Sequence, residues 1–127
     1  VEGILNDPQS VFFVVANLPD GQGLGFIQLR KMDFLHGTGE LGICLDASAR
    51  CRGVGREAIQ LLESYVHDTF RLRKVMLQVL ASNTGAIACY RSCGYREVGR
   101  LLQHFYHQSR YHDALIMEKL LGTGSID

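Results

Sequence analysis

Residues 50 to 58 read Arg50-Cys51-Arg52-Gly53-Val54-Gly55-Arg56-Glu57-Ala58, two glycines set among three arginines. Glycine lets the backbone aim successive N–H groups at one point, and apolar positions starting at Val54 place a helix N-terminus there. That end carries roughly half a positive charge from the helix dipole, to which Arg50, Arg52 and Arg56 add more. The chemistry this suits is capture of clustered anionic oxygens such as a diphosphate, each N–H bond to a charged oxygen being worth about 1.5–3 kcal/mol. The plainer alternative is an ordinary strand-to-helix connection on a solvated basic patch. A Walker loop would end in Gly-Lys-Ser or Gly-Lys-Thr. A dinucleotide fingerprint tolerates Ala58 in place of its third glycine, but it follows the first strand of a doubly wound sheet, and hairpin signals precede the loop here.

Other reactive residue types are less pointed. Cys44, Cys51, Cys89 and Cys93 match no zinc ribbon, redox CxxC or secreted framework and read as reduced thiols; Cys89 and Cys93 share a helix face as small packing residues. His104, His107 and His112 gather near the last turn without a cysteine or carboxylate to complete a ligand set, so no metal is expected. On periodicity alone, Tyr90 is a core tyrosine of an amphipathic helix.

The elements that must position these residues follow from period and punctuation. Apolar runs at 11–16 and from 25 onward flank Leu18-Pro19-Asp20-Gly21, a hairpin signal. Residues 39–45 alternate, with Leu41, Ile43 and Leu45 on one face and Glu40, Gly42 and Cys44 on the thinner other face. Val54, Ala58, Leu61, Leu62, Tyr65, Val66 and Phe70 fit one helical stripe, with Arg71, Arg73 and Lys74 at its end to complement the dipole. A strand at 74–80, a short helix at 84–93 closed by Gly94, and strands at 95–106 and 111–120 about a tight polar turn complete the chain. This order predicts an α/β (α+β) domain with a central mixed, mostly antiparallel sheet, in which 39–45 and 74–80 form the parallel pair because a helix crosses between them.

The 127 residues, 14.2 kDa, 46% hydrophobic and 20% charged, bound a single domain that buries its own core. Thirteen Lys and Arg balance thirteen Asp and Glu, which excludes a protein whose main task is neutralising nucleic-acid phosphates. With no signal-like start and no membrane-length apolar run, a cytoplasmic protein with no membrane partner is expected. The first strand follows Val1 almost at once, so the domain reads as N-terminally short: a fragment, or one completed by a neighbouring domain or a second copy.

Arg50-x-x-Gly53-x-Gly55 resembles the acetyl-CoA pyrophosphate motif of the GNAT superfamily of N-acetyltransferases. Leu77-Gln78-Val79 followed by Asn83-x-x-Ala86-x-x-x-Tyr90-x-x-x-Gly94-Tyr95 is similar to that superfamily's second block at matching spacing, with Tyr95 where phenylalanine is commoner, a change expected to keep the packing. Arg110-Tyr111-x-Asp113 with Met117 resembles the branch that acetylates ribosomal-protein N-termini, spermidine and other small amines. The resemblance covers roughly residues 10 to 121. It implies acetyl-CoA as cosubstrate, with its pantetheine arm between two splayed parallel strands. The backbone of Ile43, Cys44 and Leu45 would flank the arm, Arg50, Cys51, Arg52, Gly53, Val54, Gly55 and Arg56 would surround the diphosphate, and Asn83 would bond the arm or cap its helix.

The implied reaction is direct attack of a primary amine, on a small molecule or a peptide N-terminus, on the thioester, so no cysteine nucleophile is required. An alkyl amine is only about one part in a thousand neutral near pH 7.4, equivalent to about 4 kcal/mol. Glu40 is the candidate to take its proton, or else a carboxylate that attracts the cation. Tyr90 occupies the family's general-acid position toward the departing thiolate. Walls of the acceptor pocket are expected from variable segments such as 32–38. A non-catalytic module that binds acyl-CoA or a partner is the alternative, and a nucleotide-binding regulatory domain leaves the 83–95 block unexplained.

Overall fold

The β-branched runs extend and the helical stripes coil in the order β1 (Val11–Ala16), β2 (Gly23–Asp33), β3 (Thr38–Leu45), α1 (Val54–Phe70), β4 (Lys74–Leu80), α2 (Thr84–Ser92), β5 (Arg96–His107) and β6 (Arg110–Leu120). The computed structural model describes residues 7–16, 21, 23–46 and 53–122. Six strands form one sheet in the order β1-β2-β3-β4-β6-β5. Every neighbouring pair is antiparallel except β3 and β4, as expected for the pair joined by a helical crossover.

Both helices pack into one core with the sheet: Ile59, Leu62 and Val66 of α1 and Ile87 of α2 are buried with Leu29, Leu41, Val75, Leu77, Leu115 and Met117. The stripe that α1 buries is rotated from the one its hydrophobicity suggested. Ala58, Ile59, Leu62, Glu63 and Val66 are buried, whereas Leu61 and Tyr65 are 66% and 41% exposed. Tyr65 instead meets Phe13 edge-on at 5.3 Å, and both residues line an apolar cavity of about 640 Å³ between β1 and α1.

The basic residues expected to complement the end of α1 are also engaged elsewhere. Arg71 closes the helix in a left-handed conformation, Arg73 Nε donates to His36 O at 2.7 Å, and Lys74 pairs with Glu118 at 2.7 Å. His67 is the basic residue of the last turn. Met32, expected in a pocket-wall loop, is a core residue of β2 at 1% exposure. The turn that follows is pinned by Asp33, whose Oδ1 accepts from the Leu35 and His36 amides at 3.0 Å each.

Strands β1 and β2 pair as the hairpin signal requires, although residues 17–20 and 22 of the turn lie outside the described residues. Strands β5 and β6 are joined through Gln108 and Ser109, both at positive φ. That is the backbone of a type I′ turn, whose twist matches that of the strands. Farther along, β5 bulges between Leu101 and Phe105. Gln103 has φ 50° there, and Asp113 of β6 clasps the bulge, accepting from Gln103 N at 2.9 Å and pairing with Arg100 at 2.6 Å.

Candidate active site

The parallel ladder between β3 and β4 is short. It comprises Thr38↔Lys74, Gly39↔Val75 and Glu40↔Met76 and then ends, although β3 runs on to Leu45 and β4 to Leu80. Beyond that point each strand keeps its outer partner: residues 41–45 stay paired with β2, and 77–80 with β6. Among the described residues the sheet therefore opens along its middle, the parallel ladder not continuing between residues 41–44 of β3 and 77–80 of β4. Such a gap accepts an extended ligand carrying amides, which bonds to the edge as an added strand would.

At the wide end stands the first turn of α1. Gly53 is the N-cap at φ 79°, a conformation that side chains oppose, and no side chain caps the helix among the described residues. A Cβ on Gly53 would meet nothing within 4 Å, so glycine is needed there for conformation and not for space. Gly55 has the opposite reason: a Cβ there would come within 3.3 Å of Leu45 Cδ1, 3.7 Å of Cys89 Sγ and 4.0 Å of Ile43 Cδ1. Its bare backbone brings α1, the end of β3 and α2 together. Val54 and Gly55 are half-buried and Arg56 is exposed. Arg50, Cys51 and Arg52 lie outside the described residues. Cys44 is an exposed thiol and Cys93 a buried one.

At the narrow end is Glu40, in the last ladder pair. It borders a cavity of about 260 Å³ with Lys31, Met76, Gln78 and Ile116. Glu40 Oε1 pairs with Arg30 at 3.5 Å and with Lys31 at 3.4 Å. Two consecutive strand residues ordinarily point to opposite faces. Here the left-handed Lys31, φ 54°, and a register shift after Arg30 break the alternation, so both cations reach one carboxylate.

The helix α2 supplies the third side. Asn83 caps it, its Oδ1 accepting from Ala86 N at 3.1 Å, which is one of the two roles expected for it. At the other end Cys93 N and Tyr95 N both donate to Tyr90 O at 3.0 Å, and Gly94 turns the chain at φ 99°. Tyr90 is half-buried. Burial, reinforced by Cys89 and Cys93, pushes its hydroxyl up to about 12, so it remains a proton donor throughout the neutral range. Tyr95 does more than keep the packing. At 3% exposure it meets the Tyr90 ring edge-on at 6.1 Å and donates its hydroxyl to Glu63 Oε2 at 2.8 Å, while Lys119 Nζ holds Glu63 Oε1 at 2.8 Å. Glu63 and Lys119 went unread in the sequence because a glutamate and a lysine separated by 56 positions carry no local signal of pairing.

Among the described residues no three His, Cys, Asp or Glu side chains converge on a common point. His112 Nε2 instead bonds the His107 carbonyl at 2.9 Å within the β5–β6 hairpin.

The model of the acetyltransferase (GNAT) family matches residues 2–95. The chain belongs to that family. Among curated GNAT relatives, spermidine N(1)-acetyltransferase of Vibrio cholerae is 28% identical over 90 residues, 71% of this chain and 52% of that protein. The Escherichia coli K12 spermidine N(1)-acetyltransferase is 28% identical over 98 residues, 77% of this chain and 53% of that protein. An N-alpha-acetyltransferase of Sulfurisphaera tokodaii is 27% identical over 123 residues, 89% of this chain and 71% of that protein. The chain thus spans about half the length of the two spermidine acetyltransferases it matches. The crystal structure of the Vibrio cholerae spermidine N-acetyltransferase with CoA and spermine superposes at a TM-score of 0.86 and 26% identity, covering 94% of this chain and 70% of that one. The GNAT fold expected from the sequence, with a splayed parallel pair in a mostly antiparallel sheet, is the fold observed. No helix among the described residues is long and apolar enough to cross a membrane.

Proposed function

We propose that the chain is the acetyl-CoA-binding and catalytic part of an amine N-acetyltransferase. The observation that carries this reading is the gap between β3 and β4, open from Leu41 onward and closed at its wide end by an N-terminal turn that no side chain among the described residues caps. The pantetheine arm lies along the inner edge of β3 beside Ile43, Cys44 and Leu45, and the diphosphate sits on the amides of Gly53, Val54, Gly55 and Arg56. The thioester then reaches the narrow end, where the cavity beside Glu40 admits the amine.

The amine nitrogen attacks the thioester carbonyl carbon, the C–S bond breaks, and CoA departs as a thiolate. Glu40 either takes the ammonium proton or draws the cation in, displacing Arg30 or Lys31 from its carboxylate. Tyr90 faces the thiolate as a hydrogen-bond donor. Its proton is held more tightly than that of a thiol, whose ordinary value is about 8.5, so it stabilises the leaving group without surrendering the proton outright. The relatives include enzymes named for spermidine and one named an N-alpha-acetyltransferase, which supports a primary amine as acceptor. A relative of known structure is dodecameric, which supports assembly with further copies.

The test is thiol release from acetyl-CoA in the presence of polyamines, aminoglycosides, amino sugars and peptides. Amine-dependent release that falls about 100-fold in Tyr90→Phe is expected. Tight CoA binding without turnover on any amine, measured in the full-length protein, would replace the enzyme with a non-catalytic acyl-CoA-binding module.

A further inference from the structure

Tyr95, Glu63 and Lys119 tie three elements together directly behind the proposed leaving-group residue. Glu63 is buried on α1 at 8% exposure, and both its oxygens are used: Oε2 by the Tyr95 hydroxyl and Oε1 by Lys119 Nζ of β6, each at 2.8 Å. The lysine also lies over the Tyr95 ring, 5.9 Å from its centroid. Its stem runs past Gly94, where a Cβ would come within 3.3 Å of Lys119 Cε. Tyr95 in turn holds Tyr90 twice, through its ring edge and through its own backbone N–H on Tyr90 O at 3.0 Å.

A phenylalanine at 95 would fill the same space. The hydroxyl adds an anchor, and a buried carboxylate with its half-buried lysine is a demanding one to maintain, because removing the lysine strands the Glu63 charge in the core. Burial, with the Glu63 carboxylate beside it, pushes the Tyr95 hydroxyl well above the ordinary tyrosine range, so the proton stays on Tyr95 and the bond keeps one direction. Anchored in this way, the ring of Tyr95 cannot slide along the core, and neither can the ring packed against its face.

We propose that Tyr95 is a positioning residue for Tyr90, its hydroxyl locked on the Glu63–Lys119 pair so that the Tyr90 ring is held in one place at the end of α2. This rests on the role given to Tyr90 above, and it goes beyond that role by naming what fixes the donor.

The test is a double-mutant cycle on the full-length protein with acetyl-CoA and spermidine, read alongside ¹⁹F spectra of protein labelled with 3-fluorotyrosine and assigned by single Tyr→Phe changes. Tyr95→Phe is expected to lower kcat about tenfold with the KM for acetyl-CoA changed less than twofold. In the Tyr90→Phe background the same change is expected to cost less than twofold. The Tyr90 resonance should shift or broaden in Tyr95→Phe. Glu63→Gln, whose amide oxygen still accepts from Tyr95, should keep more kcat than Glu63→Leu. An equal loss of kcat from Tyr95→Phe in both backgrounds would overturn the proposal, and so would an unmoved Tyr90 resonance. If Tyr90→Phe leaves turnover unchanged, or no amine is acetylated, the chemical role of Tyr90 fails and the resonance alone decides whether Tyr95 positions it.

Discussion

Glycine is required at position 53 for one reason and at 55 for another, and the two can be separated by substitution. At Gly53 the space is open and φ is 79°, so Gly53→Val costs the left-handed penalty of roughly 1–2 kcal/mol. The chain can escape it only by swinging the first amides of α1 away from their common point. Calorimetric titration with CoA should show affinity falling about tenfold or more, and unchanged affinity would place the diphosphate elsewhere. At Gly55 the backbone is ordinary but the space is filled, so Gly55→Ala should lower the thermal midpoint while affecting CoA affinity less. Glu40 is tested at the same scale. Glu40→Gln should raise the KM for amine several-fold and leave the KM for acetyl-CoA within twofold.

Among the elements, the hairpin of β5 and β6 depends on one carboxylate. The Gln103 amide, then Arg100, hold the Asp113 carboxyl below its ordinary value. A carboxyl lowered in the folded state contributes stability that is present above its unfolded value and lost as pH falls through the folded one. The protection factor for hydrogen exchange at Gln103 N should therefore be high near neutrality and fall as pH drops below the ordinary aspartate value, whereas in Asp113→Ala it should be low throughout. The elements themselves were legible in the sequence because their signals are local: period two in 39–45, period 3.6 from Val54, and Gly94 as a stop. What α1 buries was not. Leu61 and Tyr65 outscore Glu63 on any hydrophobic scale, and Glu63 turns inward only because Tyr95 and Lys119, distant in sequence, satisfy both its oxygens. The candidate site divided in the same way. Motif spacing marked Tyr90, Asn83 and the glycines, but a bulge at Lys31 that delivers two cations to Glu40 has no sequence signature.

For the whole molecule, the edge-on pair Tyr90 and Tyr95 sets an alkaline limit. Tyr90 is raised from an ordinary value near 10 to about 12, and Tyr95 is raised as well, first by burial and then by Glu63. A hydroxyl whose proton is held more tightly in the folded state contributes stability that is complete below about pH 10 and lost as pH rises through the folded value. The unfolding free energy from denaturant titration, as far as these groups govern it, should be level up to about pH 10 and then decline, by at most about 1.4 kcal/mol per pH unit for each tyrosine. Tyr90→Phe should make that decline shallower, and an identical slope in the variant would show that Tyr90 is not the group responsible.

Among the described residues, the three rungs from Thr38–Lys74 to Glu40–Met76 are the whole of the backbone ladder joining the leaf β1-β2-β3 to the leaf β4-β6-β5. The same end is tied by Gly37 O, which accepts from Arg73 N at 2.7 Å and Lys74 N at 3.0 Å, and beyond it the leaves share the core beneath α1. A coenzyme threaded between them, as proposed, would stitch the sheet into a continuous fabric, and the molecule would then stiffen when it binds.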